Sequence, residues 1–281
     1  MIRSLDSLDE YRACVDLQEE IWGAGFSEKV PVAVLMMARK LGGVVAGAFD
    51  EAGALVGFVF GLTGWVERRP MHWSDMLAVR SDHRNRGIAV ELKAFQRREL
   101  LAAGVQRASW SFDPLESKNA HLNLGKLGGV VREYVPDMYG RTGSALHGEL
   151  PTDRFIVSWE LDADRVRDRL AGSTAPPAWE EVRSLPEAFA VEGTASGPRP
   201  GTPRIGPLGP RVRVPVPAAF SMLRARDPDL AFRWRKATRQ VLVQLLGEGY
   251  EARELVQEGT LSHYLLIHEA VKGRNRQKEE A

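Results

Sequence analysis

The sequence predicts a mixed α/β fold, and three observations carry that prediction. Short apolar, β-compatible runs alternate with longer stretches whose apolar residues recur at helical spacing. Two such runs, at 44–49 and 54–60, are joined by Asp50-Glu-Ala-Gly53, the composition of a hairpin turn. The stretch from Asp75 to Lys93 reads as an apolar strand, a glycine-containing turn and a helix. With 281 residues, 44% hydrophobic and 27% charged, the chain is long enough for one large domain or two smaller ones.

In chain order, a short strand at 2–5 precedes Ser7-Leu-Asp-Glu10, a capping-box pattern. This opens a helix with Tyr11, Val15, Leu17, Ile21 and Trp22 apolar and Gly23 as its stop. Pro31 suits a first helical turn, so a second helix is expected over 32–41, halted by Gly42-Gly43. The hairpin follows, then a strand at Met76-Leu-Ala-Val79 and a helix to Ala103 on Val90, Leu92, Phe95, Leu100 and Leu101. A strand at 106–112, a helix opened by Asn119 and strands at 130–139 and 154–161 close the first domain, 1–162. Ten of the sixteen prolines then fall between Pro176 and Pro217, so 163–210 is expected to be a linker or extended crossing. A small α/β domain over 211–281 is expected beyond it: a strand at 211–216, a helix capped by Asp227 and running to Leu246, and strands at 251–257 and 262–268.

Composition excludes several functions. A formal net charge of +1 gives no global field for nucleic acid or anionic lipid. In the arginine-rich stretch 224–239, Leu230, Phe232 and Trp234 recur at helical spacing, giving one packed and one solvated face. The lone Cys14 excludes an intramolecular disulfide, reads as a small packed residue, and points to a reducing, cytoplasmic setting. No Cys/His cluster has zinc spacing, so no metal is expected. The N-terminus lacks a signal-peptide pattern. The most apolar region, 41–65, is broken by Asp50-Glu51 and Gly53 and is no membrane span.

Chemistry concentrates at Arg84-Asn-Arg-Gly-Ile-Ala89. A helix start leaves backbone N–H groups unpaired at the positive end of the macrodipole, which favours a phosphate ester. Gly87 permits close approach of a ligand to the backbone, and Ala89 does not crowd it, so the turn suits a pyrophosphate.

With Arg84 first, Gly87 fourth and Ala89 sixth, this turn resembles the Gln/Arg-x-x-Gly-x-Gly/Ala signature of the GNAT superfamily of acyl-CoA-dependent N-acyltransferases. One strand later, Asn119-Ala120 and Lys126-Leu-Gly128 resemble the family's Asn-x-x-Ala…Tyr-x-Lys-x-Gly-Phe element. The element order over 1–162 resembles the GNAT topology, a mixed central sheet flanked by helices. Leu100–Ala108 and Leu245–Arg253 share a helix end, a glycine stop and a strand entry. The C-terminal segment is therefore either a degenerate half-GNAT repeat or an ordinary strand-helix-strand unit. It lacks the glycine turn, and Trp234–Arg239 stands where a phosphate loop would be.

The resemblance implies transfer of an acyl group from acetyl-CoA, with succinyl-CoA as the alternative donor, to a small-molecule amine such as an amino acid. A protein lysine or N-terminal acetyltransferase and a non-catalytic acyl-CoA-binding module are the competing readings, and a homodimer is compatible with each. It further implies that backbone groups of Leu77, Ala78 and Val79 hold pantetheine, and that N–H groups of Arg84, Asn85, Arg86, Gly87, Ile88 and Ala89 hold the pyrophosphate, with Lys93 on a CoA phosphate and Asn119 on pantetheine. Asp75 and His72, upstream on the same strand, are the candidate bases; unbulged alternation puts them on opposite faces. His titrates in the useful range, whereas Asp needs burial to raise its pKa. The family's tyrosine acid is missing from His121-Leu-Asn-Leu-Gly-Lys126, leaving Tyr139, or Tyr134, as proton donor to the leaving sulfur. Arg141, Asp153 and Arg154 are candidates for acceptor recognition, with a local Asp153–Arg154 turn contribution as the alternative.

Overall fold

A computed structural model describes residues 1–23, 25–140, 150–194, 197–204, 206 and 208–268. Contacts divide them into two units: 1–110 with 159–170, and 111–140, 150–158 and 171–268.

Unit 1 opens with strand β1 (Ile2–Ser4) and helices α1 (Leu8–Trp22) and α2 (Val32–Lys40). Ser7 caps α1 by accepting the Glu10 N–H at 3.2 Å, and the Glu10 carboxylate accepts the Asp6 and Ser7 N–H groups, the reciprocal bonds of a capping box. Strands β2 (Val44–Phe49), β3 (Leu55–Val66) and β4 (Arg69–Val79) follow in antiparallel succession, then α3 (Ile88–Ala102) and β5 (Arg107–Phe112), which pairs with β4 in parallel. Tyr11, Cys14 and Leu17 of α1 and Leu35 and Ala38 of α2 pack on Phe58, Phe60, Met76 and Ala78 of the sheet. Burial pushes the Cys14 thiol up to about 12, as for a packed, inert residue.

Strand β4 begins seven residues before the expected Met76, and it is bulged. Its register against β3 passes from Phe60↔Met76 to Leu62↔Trp73, so Ser74 and Asp75 together oppose Gly61. Gly61 is required there: a Cβ would stand 2.2 Å from His72 Nε2 and 2.5 Å from the Trp73 carbonyl oxygen. The bulge also reverses the facing of the strand. His72 and Ser74 turn to α3, whereas Met76 and Ala78, of the same parity, turn to α1 and α2.

Unit 2 contains α4 (Ser117–Ala120), extended by a π-helical stretch His121–Lys126, then β6 (Val130–Val135) and β7 (Arg154–Glu160). Helix α5 (Asp164–Ala171), which lies in unit 1 up to residue 170, and in unit 2 helix α6 (Trp179–Val182) and a ribbon of β8 (Val191–Thr194) and β9 (Gly197–Pro200) occupy the region expected to be a linker. Strand β10 (Arg211–Pro217), helices α7 (Phe220–Arg226) and α8 (Pro228–Gly247), and the hairpin β11 (Tyr250–Glu258) and β12 (Leu261–His268) complete it. The prolines that suggested a linker sit where a missing N–H costs little: Pro198 and Pro200 in a two-stranded ribbon, Pro215 and Pro217 in β10 at the end of the sheet order. Trp234–Arg239 lies inside α8, with Trp234 fully buried, so no loop stands there. The order β10-β12-β11, with α8 between its first two strands in sequence, repeats the order β5-β7-β6 around α4. This matching sets α8 against α4, whereas the sequence echo sets it against α3.

Candidate active site on the bulged strand

Between β4 and α3 the chain makes a 3-10 turn, Ser81–His83, and then two left-handed residues, Asn85 at φ 63° and Gly87 at φ 82°. Gly87 is the N-cap of α3 without a capping side chain. The N–H groups of Asn85, Arg86 and Gly87 make no backbone hydrogen bond, and those of Ile88 and Ala89 begin the helix, so five consecutive donors are left without a backbone partner. Arg84 is used internally, its Nε donating to the Val79 carbonyl at 3.0 Å, and Arg86 Nη2 donates to the Asp82 carbonyl at 2.8 Å. Both side chains thus brace the turn.

The strand leading into this turn has one open edge. Strands β4 and β5 pair only at His72↔Ala108 and Trp73↔Ser109, so from Ser74 onward no strand covers that edge of β4 among the described residues of unit 1. The Arg80 N–H donates to the Val56 carbonyl, and the alternation of an antiparallel ladder then directs the Ala78 peptide groups to β3. Leu77 and Val79 face the open edge. Ala78, expected to hold pantetheine by its backbone, is therefore occupied within the sheet.

Asp75 stands in the bulge, exposed as a residue but partly desolvated at its carboxylate. Partial burial and the nearby Glu28 carboxylate raise its pKa above the ordinary carboxylate value, against a hydrogen bond from Trp73 that lowers it. Glu28 belongs to the segment between α1 and α2. His72 does not share this position. It is fully buried, its Nδ1 lies 2.9 Å from Thr63 Oγ1 and its Nε2 3.0 Å from Gln96 Nε2, and burial together with Lys93 pushes its pKa down to about 3. With both ring nitrogens engaged, His72 is corrected from candidate base to structural residue.

Lys93 is corrected as well. It lies on the inward stripe of α3 with Leu92, Phe95, Gln96 and Leu100, 2% exposed, and not toward the phosphate turn. Its Nζ donates to Ser74 Oγ at 2.9 Å and Gln96 Oε1 at 2.7 Å, above the Trp110 ring at 3.7 Å. Burial lowers its pKa well below that of an ordinary lysine. The network Lys93–Gln96–His72–Thr63, ending on the Gly42 carbonyl, was not anticipated; an isolated glycine at position 61, inside an apolar strand, was the only signal of it.

In unit 2, Tyr139 is 44% exposed and lies in a turn beyond β6, its hydroxyl 2.9 Å from Ser111 Oγ and its ring 5.1 Å from the Arg154 guanidinium. Tyr134 is buried and donates its hydroxyl to Asp153; burial, then Asp153, raises its pKa, which removes it as a proton donor. Asp153 is fully buried and accepts from Tyr134, from the Asp137 N–H at 3.0 Å and from Arg239 Nε at 2.8 Å, so it is an internal anchor and not an acceptor-binding group. Arg154 is also buried, donating Nη1 to the Asp153 carbonyl at 3.0 Å. Asn119 is exposed at the third position of α4, whose N-cap is Glu116, so it does not cap the helix. Arg141 lies outside the described residues. No group of three His, Cys, Asp or Glu among the described residues is placed to hold a metal, and no described helix is long and apolar enough to cross a membrane.

From β1 to β7 the order of elements is one strand, two helices, three strands, a helix, a strand, a helix and two strands, around a mixed central sheet. This is the element order that the resemblance to the GNAT superfamily implies. Among solved structures, the chain is similar to that of the NatC complex bound to Gag peptide and CoA (15% identity, 57% of this chain and 97% of that chain, TM-score 0.46). It is similar to aminoglycoside 6'-acetyltransferase type Ii (16%, 58% and 98%, TM-score 0.47) and to an acetyltransferase of the GNAT family from Streptococcus pneumoniae (16%, 56% and 97%, TM-score 0.46). No family model and no curated protein matches the sequence.

Proposed function

We propose that the protein is an acyl-CoA-dependent N-acyltransferase that moves an acetyl group from acetyl-CoA to a small-molecule amine in the cytoplasm. The observation that carries this reading is the succession, on one strand, of a bulged carboxylate, an uncovered backbone edge and a donor-lined turn. The N–H groups of Asn85 to Ala89 bind the pyrophosphate. Leu77 and Val79 offer strand-like hydrogen bonds to the amide-containing pantetheine arm. Asp75, with its raised pKa, takes the proton from the attacking ammonium, directly or through water. An amine with pKa near ~10 is mostly protonated at neutral pH, so this step precedes attack on the thioester carbonyl. The C–N bond forms as the C–S bond breaks, and the second proton that the nitrogen loses on becoming an amide passes to the leaving thiolate or to water.

Thermal unfolding with acetyl-CoA, succinyl-CoA, free CoA and NAD tests the reading, repeated on Gly87→Glu. A ligand at one hundred times its dissociation constant adds about 2.7 kcal/mol to stability. Stabilisation by an acyl-CoA and not by NAD, lost in Gly87→Glu, followed by thiol release in the presence of amines, is the expected result. No shift with any CoA species refutes it.

A further inference from the structure

The proposed chemistry does not use Lys93, yet this residue sits where the open edge of β4 begins. The parallel ladder of β4 and β5 pairs His72 with Ala108 and Trp73 with Ser109, and then stops. Its next step would pair Ser74 with Trp110 and begin to cover the edge of β4 on which Leu77 and Val79 are open. Instead, Ser74 is the first residue of the bulge opposite Gly61. Lys93 reaches both members of the missing pair. Its Nζ donates to Ser74 Oγ at 2.9 Å and stands 3.7 Å from the centroid of the Trp110 ring. All three residues belong to unit 1.

The amine is fixed from several sides. A second hydrogen bond, to Gln96 Oε1 at 2.7 Å, holds Nζ from one turn along α3. The Trp110 ring is backed edge-to-face by Trp159 at 5.5 Å, and the Trp159 ring itself lies 5.1 Å from Nζ. Ser74 and Trp110 are both buried, so neither turns to solvent for another partner. Burying an amine is costly, and the lowered pKa of Lys93 expresses that cost. A methionine would fill a similar length without it. What the lysine adds is a tie between the two strands at the residue where they part.

We propose that Lys93 is a positioning residue for acyl-CoA: by tying Ser74 to Trp110 it fixes the point at which β4 leaves β5, and so presents the N–H and C=O groups of Leu77 and Val79 to the pantetheine arm. The partners of its amine are Ser74, Gln96 and the two indole rings, none of them in the pyrophosphate turn. Loss of the tie therefore acts on the pantetheine half of the ligand and spares the phosphate half. This inference rests on the proposed acyltransferase reading.

Calorimetric titration of the full chain tests it, with acetyl-CoA, free CoA and adenosine 3′,5′-bisphosphate, which carries phosphates of CoA without pantetheine. The proteins compared are wild type, Lys93→Met and Ser74→Ala. Lys93→Met should bind acetyl-CoA and CoA about tenfold more weakly, the worth of one or two hydrogen bonds, and the bisphosphate within about twofold of wild type. Ser74→Ala removes a single atom from the same tie, serves if Lys93→Met does not fold, and should show the same selective loss. Unchanged affinity for all three ligands in either folded variant overturns the proposal. An equal loss for all three also overturns it, because that is the mark of a loosened fold. Wild type that binds none of the three refutes the acyltransferase reading and the proposal with it, whereas wild type that binds acetyl-CoA no better than the variants do refutes the proposal alone.

Discussion

Lys93 Nζ stands 3.7 Å from the centroid of the Trp110 ring and 2.9 Å from Ser74 Oγ, so an amine buried under two tryptophans holds the first residue of the bulge that carries Asp75. Directed donation is consistent along the whole network. Lys93 donates to Gln96, the Gln96 amide donates to His72 Nε2, His72 Nδ1 then donates to Thr63, and Thr63 donates to the Gly42 carbonyl. Every buried polar group in it is paired, which is the condition under which such a network orders a strand instead of weakening it.

The state of Lys93 predicts a pH dependence of stability. Its amine pKa is lowered in the fold and near ~10.4 in the unfolded chain, so between these values the unfolded chain binds a proton that the fold excludes. Stability therefore rises with pH across that window, by at most about 1.4 kcal/mol per pH unit for one proton. Urea denaturation between pH 7.5 and 10 should show wild type gaining on Lys93→Met throughout the interval. Parallel curves would mean that the ammonium is buried charged against Trp110.

Asp75 and His72 should part company in kinetics. Asp75→Asn should lower kcat by about a hundredfold or more while stabilisation by acetyl-CoA is retained. The rate of wild type should fall as pH drops through the raised Asp75 pKa, placing the acid limb above the ordinary carboxylate value of about 3.9. His72→Gln should leave that limb where it is. A limb displaced by His72→Gln and unmoved in Asp75→Asn would reverse the assignment.

Local chemistry made much of unit 1 legible: the capping box at Ser7, Pro31 before α2, the turn at Gly53 and the glycine turn before α3 each act through their own residues. The bulge was not legible, because a two-for-one register exists only between strands, and no single residue of β4 announces it. Missing it put His72 in the wrong role. Lys93 misled for a related reason. A lysine six residues after a phosphate turn is ordinarily a solvated charge, and only the packing of α3 on β4 shows that position 93 points inward. In unit 2 the prolines suggested a linker because their cost depends on whether a strand is at an edge, which composition does not state.

The same bulge gives a stability prediction at Gly61. An added Cβ meets His72 Nε2 and the Trp73 carbonyl oxygen, one ring held from both sides and one backbone atom, so neither yields readily. Gly61→Ala should cost about 2 kcal/mol, in the range of overpacked cores. Gly64→Ala, three residues along the same strand with nothing within 4 Å of its Cβ, is the matched control and should be close to neutral. Equal denaturation midpoints for the two variants would show that the strand shifts to absorb the methyl group.

Asp153 supplies the corresponding test in unit 2. Its carboxylate is fully buried and joins Tyr134 on β6, the Asp137 N–H beyond that strand, and Arg239 on α8. Removing one side of such a cluster leaves the others desolvated and unpaired, a cost of about 3–5 kcal/mol. Asp153→Ala should therefore lower the unfolding midpoint sharply, whereas KM for the amine, measured on the folded fraction at low temperature, should stay within twofold of wild type. A raised KM with unchanged stability would return Asp153 to the acceptor site from which its burial removes it.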